Sequence, residues 1–209
     1  MHDPTENRFL QAIQLAPEDP APRLIFADWL EERGDPRADL IRVQCELAAA
    51  DDHEPRAAEL RRQEQTLLDR YEQRWLDSLP SLSGVEWGIV QDGRRRTFSR
   101  GIVSAATVKD AATFFRHAEQ LFQAGCVRKL WFRDLRGRDC SALFESPYLN
   151  RLDSLDLQGN DVGDLGAMAA AKSPYLRRLT SLNFGNNWIG PLGAEALAES
   201  RSLVNLRTL

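Results

Sequence analysis

The chain has 209 residues, 43% hydrophobic and 28% charged, with a formal net charge of −4. That composition can bury a core as one domain or two small ones, and it gives no electrostatic reason to expect nucleic acid or an anionic membrane as partner. No apolar run approaches the roughly 20 residues that cross a bilayer, and the opening MHDPTENRFL lacks the basic and apolar regions of a secretory leader.

Three cysteines, Cys45, Cys126 and Cys140, form no motif and leave one over in any pairing, so reduced thiols in a cytoplasmic protein are expected. His2, His53 and His117 share no metal-ligand spacing with one another or with a cysteine. No Ser–His–Asp grouping or phosphate-binding glycine loop stands out. The expectation is a non-enzyme without metal or cofactor.

Residues 4–50 read as helices. PTENRFLQAIQLAP places Phe9, Leu10, Ile13 and Ala16 on one face. After the break at EDPAP, Pro22 suits a helix start. RLIFADWLEER then gives a stripe of Leu24, Ile25, Trp29 and Leu30, interrupted by the carboxylate of Asp28. Gly34 is placed to close this helix in the left-handed region, with Asp35 capping the next and Pro36 at its first position. That next helix, ADLIRVQCELAAA, carries Leu40, Ile41, Val43 and Leu47.

The run ADWLEERGDPRADLIRVQ, residues 27–44, resembles the repeat-companion domain, a short module best known from planctomycete bacteria. The resemblance implies an architecture, a helical module preceding interaction repeats, and brings no catalytic residue with it. The acidic cluster therefore rests on local chemistry. Glu31 and Glu32 are expected in solvent or paired with Arg33 and Arg37. Asp28 has no role in helix or turn chemistry. It either caps another helix or pairs with an arginine such as Arg23 or Arg42; a metal or general-base role for Asp28, Glu31 and Glu32 is the competing reading.

Residues 55–80 read as one long helix with Leu60, Leu67, Leu68, Tyr71 and Trp75 on a stripe. Its expected job is to cap the repeats that follow. VEWGIVQDGRRRTFSRGIVS alternates on both sides of Asp92–Gly93, which predicts a hairpin. Arg94, Arg95, Arg96 and Arg100 gather there, either as a solvated strand edge or as a contact for phosphate or an acidic partner. GIVSAATV followed by KDAATFFRHAEQLFQAG predicts a strand–helix unit with Ala105 and Thr107 at the core positions and Gly125 as a helix C-cap.

The last third repeats. LDSLDLQGNDVGDLGA (152–167) and LTSLNFGNNWIGPLGA (179–194) agree at eight positions, 27 residues apart, and SPYLNRL and SPYLRRL lead into them. Leu155 and Leu157 alternate along a strand and face one core; Asn160 ends the strand, where its amide can satisfy backbone groups of the turn. Gly163 suits the bend into a helix of small residues. A degenerate copy begins at Val127, with Leu130, Phe132 and Leu135 standing 25 residues before Leu155, Leu157 and Asn160. Leu135 replaces the asparagine, so that turn must be satisfied otherwise. Leu206 and Leu209 open a truncated copy, whose uncapped edge could pair with a second chain.

This pattern resembles the leucine-rich repeat in its ribonuclease-inhibitor-like form. The resemblance implies an α/β fold: a helical head over residues 1–80, then a hairpin and a short solenoid with a curved parallel sheet over 81–209. Its copies run over 127–151, 152–178, 179–205 and 206–209. Such solenoids bind proteins, so the expected function is an adaptor whose partner meets the outward strand positions. Those are Lys129, Trp131 and Arg133, then Ser154, Asp156 and Gln158, then Ser181, Asn183 and Gly185. Trp131 between two cations is the expected anchor, unless neighbouring elements shield it. Asp28, Trp29, Gly34, Asp35, Pro36, Asn160 and Asn187 are expected to be structural. Self-association through the C-terminal edge, or a metal-dependent activity, are the alternatives.

Overall fold

A computed structural model describes residues 4–51, 53–91 and 94–209, and the side chains of all of these but Gln91 and Arg94. The fold is mixed α/β, with eight α-helices and a mostly parallel five-stranded sheet among the described residues. Two compact units make up the chain. The first joins residues 1–80 to 98–104 and 122–126; the second holds 81–97, 105–121 and 127–209.

In the first unit, α1 (Pro4–Leu15), α2 (Ala21–Glu31), α3 (Arg37–Ala49) and α4 (Pro55–Asp77) follow one another, each packed on the next. The hairpin β4 (Phe98–Ser99) and β5 (Ile102–Val103) joins them. Leu10, Ile13, Phe26, Leu30, Ile41 and Ile102 form one buried cluster. The stripe of α2 differs from the one expected. Its buried residues are Arg23, Phe26, Ala27 and Leu30, while Leu24 and Ile25 are exposed. The helical period explains this, since 23, 26, 27 and 30 share a face that 24 and 25 leave. Arg23 reads as polar, yet its long stem lies in the core.

Gly34 has φ +65°, as its place after α2 requires. Gly125 does not act as a left-handed C-cap, because its φ is not positive. A Cβ there would lie 2.6 Å from the Val103 carbonyl oxygen, so close backbone approach accounts for the glycine.

In the second unit the sheet order is β1-β6-β7-β8-β9, from β1 (Val85–Trp87), β6 (Ala105–Val108), β7 (Lys129–Phe132), β8 (Ser154–Asp156) and β9 (Ser181–Asn183). β1 is antiparallel to β6 and the others run parallel. The expected hairpin is there as β2 (Ile89–Gln91) paired with β3 (Arg94–Arg96), its Asp92–Gly93 turn lying outside the described residues. The alternation misled for Val85–Trp87, which joins the large sheet instead. Leu130, Leu155 and Leu182 are in register and at most 1% exposed, so the 25- and 27-residue offsets are the register of the sheet. Ser181 also bridges to Thr208 in parallel, 27 residues on.

The same ladder corrects one assignment. Ala106 and Val108, not Ala105 and Thr107, pair with Leu130 and Phe132. Thr107 faces the other way, pairs with Trp131, and donates its hydroxyl to the Gly88 carbonyl at 2.9 Å. A one-residue slip exchanges the two faces of a strand.

Helices α5 (Ala111–Gln123), α6 (Gly137–Phe144), α7 (Gly163–Lys172) and α8 (Pro191–Ala198) alternate with these strands, and α6, α7 and α8 pack in sequence. Asp110, just before α5, accepts the Thr113 N–H at 2.7 Å. That bond, first, and the Thr113 side chain hold the Asp110 carboxyl below its usual range. Asp110→Ala should cost about 1 kcal/mol. The depressed carboxyl stabilises the fold fully above its unfolded-chain value, and the contribution fades as pH falls through the folded one. Asp110→Asn should keep most of the stability and flatten that acid limb, as measured by urea unfolding at stepped pH.

Candidate functional site

Two groups of residues compete for a functional role, one in each unit. In the first unit the acidic run is threaded by arginines. Arg42 Nη2 donates to Asp28 Oδ1 at 2.8 Å and to Glu31 Oε2 at 2.7 Å. The Arg42 hydrogen bond lowers the Glu31 carboxyl. Arg37 donates to both oxygens of Asp35 and, at 2.6 Å, to Glu6. The backbone N–H of Arg37 supplies the bond to Asp35 Oδ1 at 2.9 Å, so Asp35 closes the start of α3 across Pro36. Arg33 lies over the Trp29 ring at 3.8 Å and donates to the Trp29 carbonyl. Its ion pair with Glu32 is longer, at 3.8 Å.

Two expectations change. Asp28 is not on a buried stripe, its side chain being 71% exposed; of the two arginines expected for it, Arg42 is the partner. Glu31 pairs with Arg42, not with Arg33 or Arg37. The α2–α3 angle brings residues 28, 31 and 42 together, and no local spacing rule encodes that angle. Among the described residues no group of three or more His, Cys, Asp or Glu is placed to hold a metal ion.

In the second unit the register lines up one row across the sheet: Glu86, Thr107, Trp131, Asp156 and Asn183. Alternation turns this row away from the leucine core. Lys129, Arg133 and Gln158 are exposed; Trp131, Asp156 and Asn183 are half-buried. Asn183 Nδ2 donates to Asp156 Oδ2 at 3.1 Å and Gln158 Oε1 at 3.3 Å, and Asp156 Oδ1 accepts the Gln158 N–H at 2.8 Å. These bonds pre-set the side chains. Arg133 is held by a two-pronged pair with Glu86, both bonds 2.7 Å. The cation beside Trp131 on that side is therefore committed to Glu86, while Lys129 on the other side is exposed as well.

Beneath the row, Asn160 and Asn187 finish the strands. Asn160 Oδ1 accepts the Leu135 N–H at 2.7 Å, while Nδ2 donates to Phe132 and Leu157 carbonyls at 2.9 and 2.8 Å. Asn187 does the same one repeat later, donating to Leu157 and Phe184 carbonyls at 2.6 and 3.0 Å and accepting the Val162 N–H at 3.3 Å. The turn that lacks its own asparagine at Leu135 is thus served by the next copy.

The family model described as Leucine Rich repeat matches residues 149–169 and 175–198. Residues 149–198 carry a leucine-rich repeat. No curated protein and no solved structure matches the chain. The matched leucine-rich stretch contains β8 and β9 and the Asp156, Gln158 and Asn183 network; Lys129, Trp131 and Arg133 lie one strand before it.

The arginine cluster divides. Arg95 donates to the Trp87 carbonyl at 2.8 Å and Arg96 is exposed. The Arg94 side chain lies outside the described residues. Arg100 belongs to the first unit, where it donates to the Pro17 and Glu18 carbonyls and meets the Glu18 carboxylate at 3.3 Å. No helix among the described residues is long and apolar enough to cross a membrane.

Proposed function

We propose that this chain is a non-enzymatic protein-interaction module, an adaptor. In this reading a helical head of the repeat-companion type precedes a short leucine-rich-repeat solenoid, whose inner strand face receives a partner protein in the cytoplasm. The observation that carries the reading is the in-register row Trp131–Asp156–Asn183, turned outward from a core of leucines, phenylalanines and small residues. Leucine-rich repeats commonly mediate contacts between proteins. Held polar side chains around a half-buried tryptophan are the composition of an interface centre, since a fixed aromatic gains contact area with little entropy to lose. Cys45, Cys126 and Cys140 form no disulfide in the structure, which suits a reducing compartment.

Trp131→Ala tests it. The variant should keep the melting profile of the parent within a few degrees and lose most capture of the partner found by affinity purification from source cells. Capture equal to that of the parent would remove Trp131 from the interface, and metal-dependent turnover lost in Asp28→Asn would replace the adaptor reading with an enzymatic one.

A further inference from the structure

Asp156 carries a charge that its turn does not need. Its Oδ1 accepts the Gln158 N–H at 2.8 Å and closes the chain after β8. One repeat later Asn183 does the same after β9, its Oδ1 accepting the Gly185 N–H at 2.9 Å. A neutral amide therefore serves this turn as well as a carboxylate does. The charge is not spent on a neighbour either: Asp156 has no ion pair among the described residues. Trp131 stands beside it in register, one strand spacing of about 4.8 Å away. Among the described residues no ring or cation stacks on the Trp131 indole, and its N–H has no acceptor.

The other charges of this face are on β1, β6 and β7. Arg133 and Glu86 neutralise each other through their two bonds. Lys109, two residues beyond Thr107, and Lys129, two residues before Trp131, are exposed, so water and salt screen them. Lys129 is diagonal to Asp156 and is the like charge that an incoming cation meets. The outward positions of β8 and β9 bring no other charge, being Ser154, Gln158, Ser181, Asn183 and Gly185. Each Asp156 oxygen already accepts one bond, Oδ2 from Asn183 Nδ2 at 3.1 Å, which leaves about one acceptor site on each. Two fixed acceptors side by side match the fork of a guanidinium, whose flat face can rest on the adjoining indole. An ammonium is a point charge with no such face.

We infer that Trp131 and Asp156 form the seat for one arginine of the partner protein, its guanidinium bonded by both Asp156 oxygens and laid on the indole. The seat depends on the strand face being where the partner lands, as proposed above, and names what that face recognises.

Random peptides displayed on phage are selected on the whole protein, and those recovered are synthesised and titrated against the parent and its variants. Peptides that need Trp131 should share an arginine. Citrulline, which keeps the shape of that arginine without its charge, should weaken binding roughly tenfold or more, and lysine severalfold. Asp156→Asn should melt within a few degrees of the parent, as Asn183 already shows the turn to allow. It should lose the same factor as citrulline, and the two changes together should lose no more than either alone. Lys129→Met should tighten binding severalfold, less so in high salt. Trp131-dependent peptides that lack arginine, or that keep their affinity for Asp156→Asn, would overturn the seat and leave the strand face standing. So would weaker binding to Lys129→Met, or Asp156→Asn melting well below the parent. Recovery of no peptide, or only of peptides that bind Trp131→Ala equally well, would overturn the seat and the strand face together.

Discussion

Asn160→Ala should destabilise the protein by about 4 kcal/mol, because it strands several buried backbone groups at once, each worth roughly 1–3 kcal/mol when left unpaired. The amide of Asn160 binds the Leu135 N–H and the carbonyls of Phe132 and Leu157, and the residue is 7% exposed. For a chain of this size that loss corresponds to a fall in Tm of roughly 8–16 °C. Asn160→Leu restores volume without hydrogen bonds and should lose as much. Asn160→Asp keeps an acceptor for Leu135, cannot donate while ionised, and buries a charge, so it should be at least as damaging at neutral pH. Asn187→Ala should cost somewhat less, since its bond to the Val162 N–H is longer, at 3.3 Å. Urea unfolding of the four variants decides it, and a loss under about 1 kcal/mol in both the Ala and Leu variants at position 160 would show that water satisfies these turns equally well.

Gly101→Ala should be the most damaging single methyl group in the first unit. Gly101 has φ +74°, and a Cβ there would lie 2.6 Å from Ile41 Cα and 2.8 Å from Ile41 N, backbone atoms of α3 that cannot step aside. Its N–H donates to the buried Gln44 Oε1 at 2.6 Å, and Gln44 Nε2 in turn holds Glu64 of α4. Strain of about 1 kcal/mol from the backbone region adds to roughly 1–3 kcal/mol from overpacking, and the loss of Gln44's geometry adds to both. Gly34 is the control. It shares the left-handed backbone, with φ +65°, but nothing lies within 4 Å of its added Cβ. Gly34→Ala should therefore cost only about 1 kcal/mol. Equal losses in the two variants, measured by calorimetry, would refute the close-approach argument.

The repeat register was the most legible part of the fold. Leucines at fixed offsets must share a core, so Leu130, Leu155 and Leu182 announce their alignment before any coordinates. Where the pattern thinned, reading became ambiguous. At 105–108 every residue is small or β-branched and all four are buried, so nothing local distinguishes the two strand faces. Arg23 hid the buried face of α2, because hydropathy scores an arginine as polar although this one is only 4% exposed. Gly101 and Gly125 owe their identity to contacts across 60 and 22 residues of chain, which no local signal carries. Of the strand face, the sequence supplied the residues and the alternation; the pairing of Arg133 with Glu86 needed the placement of β1.

The asparagine arms have a direction. Each one clasps its own turn and the turn behind it, never the one ahead. Injury at position 187 should therefore speed hydrogen exchange at Val162 while Leu135, still gripped by Asn160, keeps its protection. Injury at position 160 should do the reverse. Loosening therefore steps one turn toward the N-terminus and stops there.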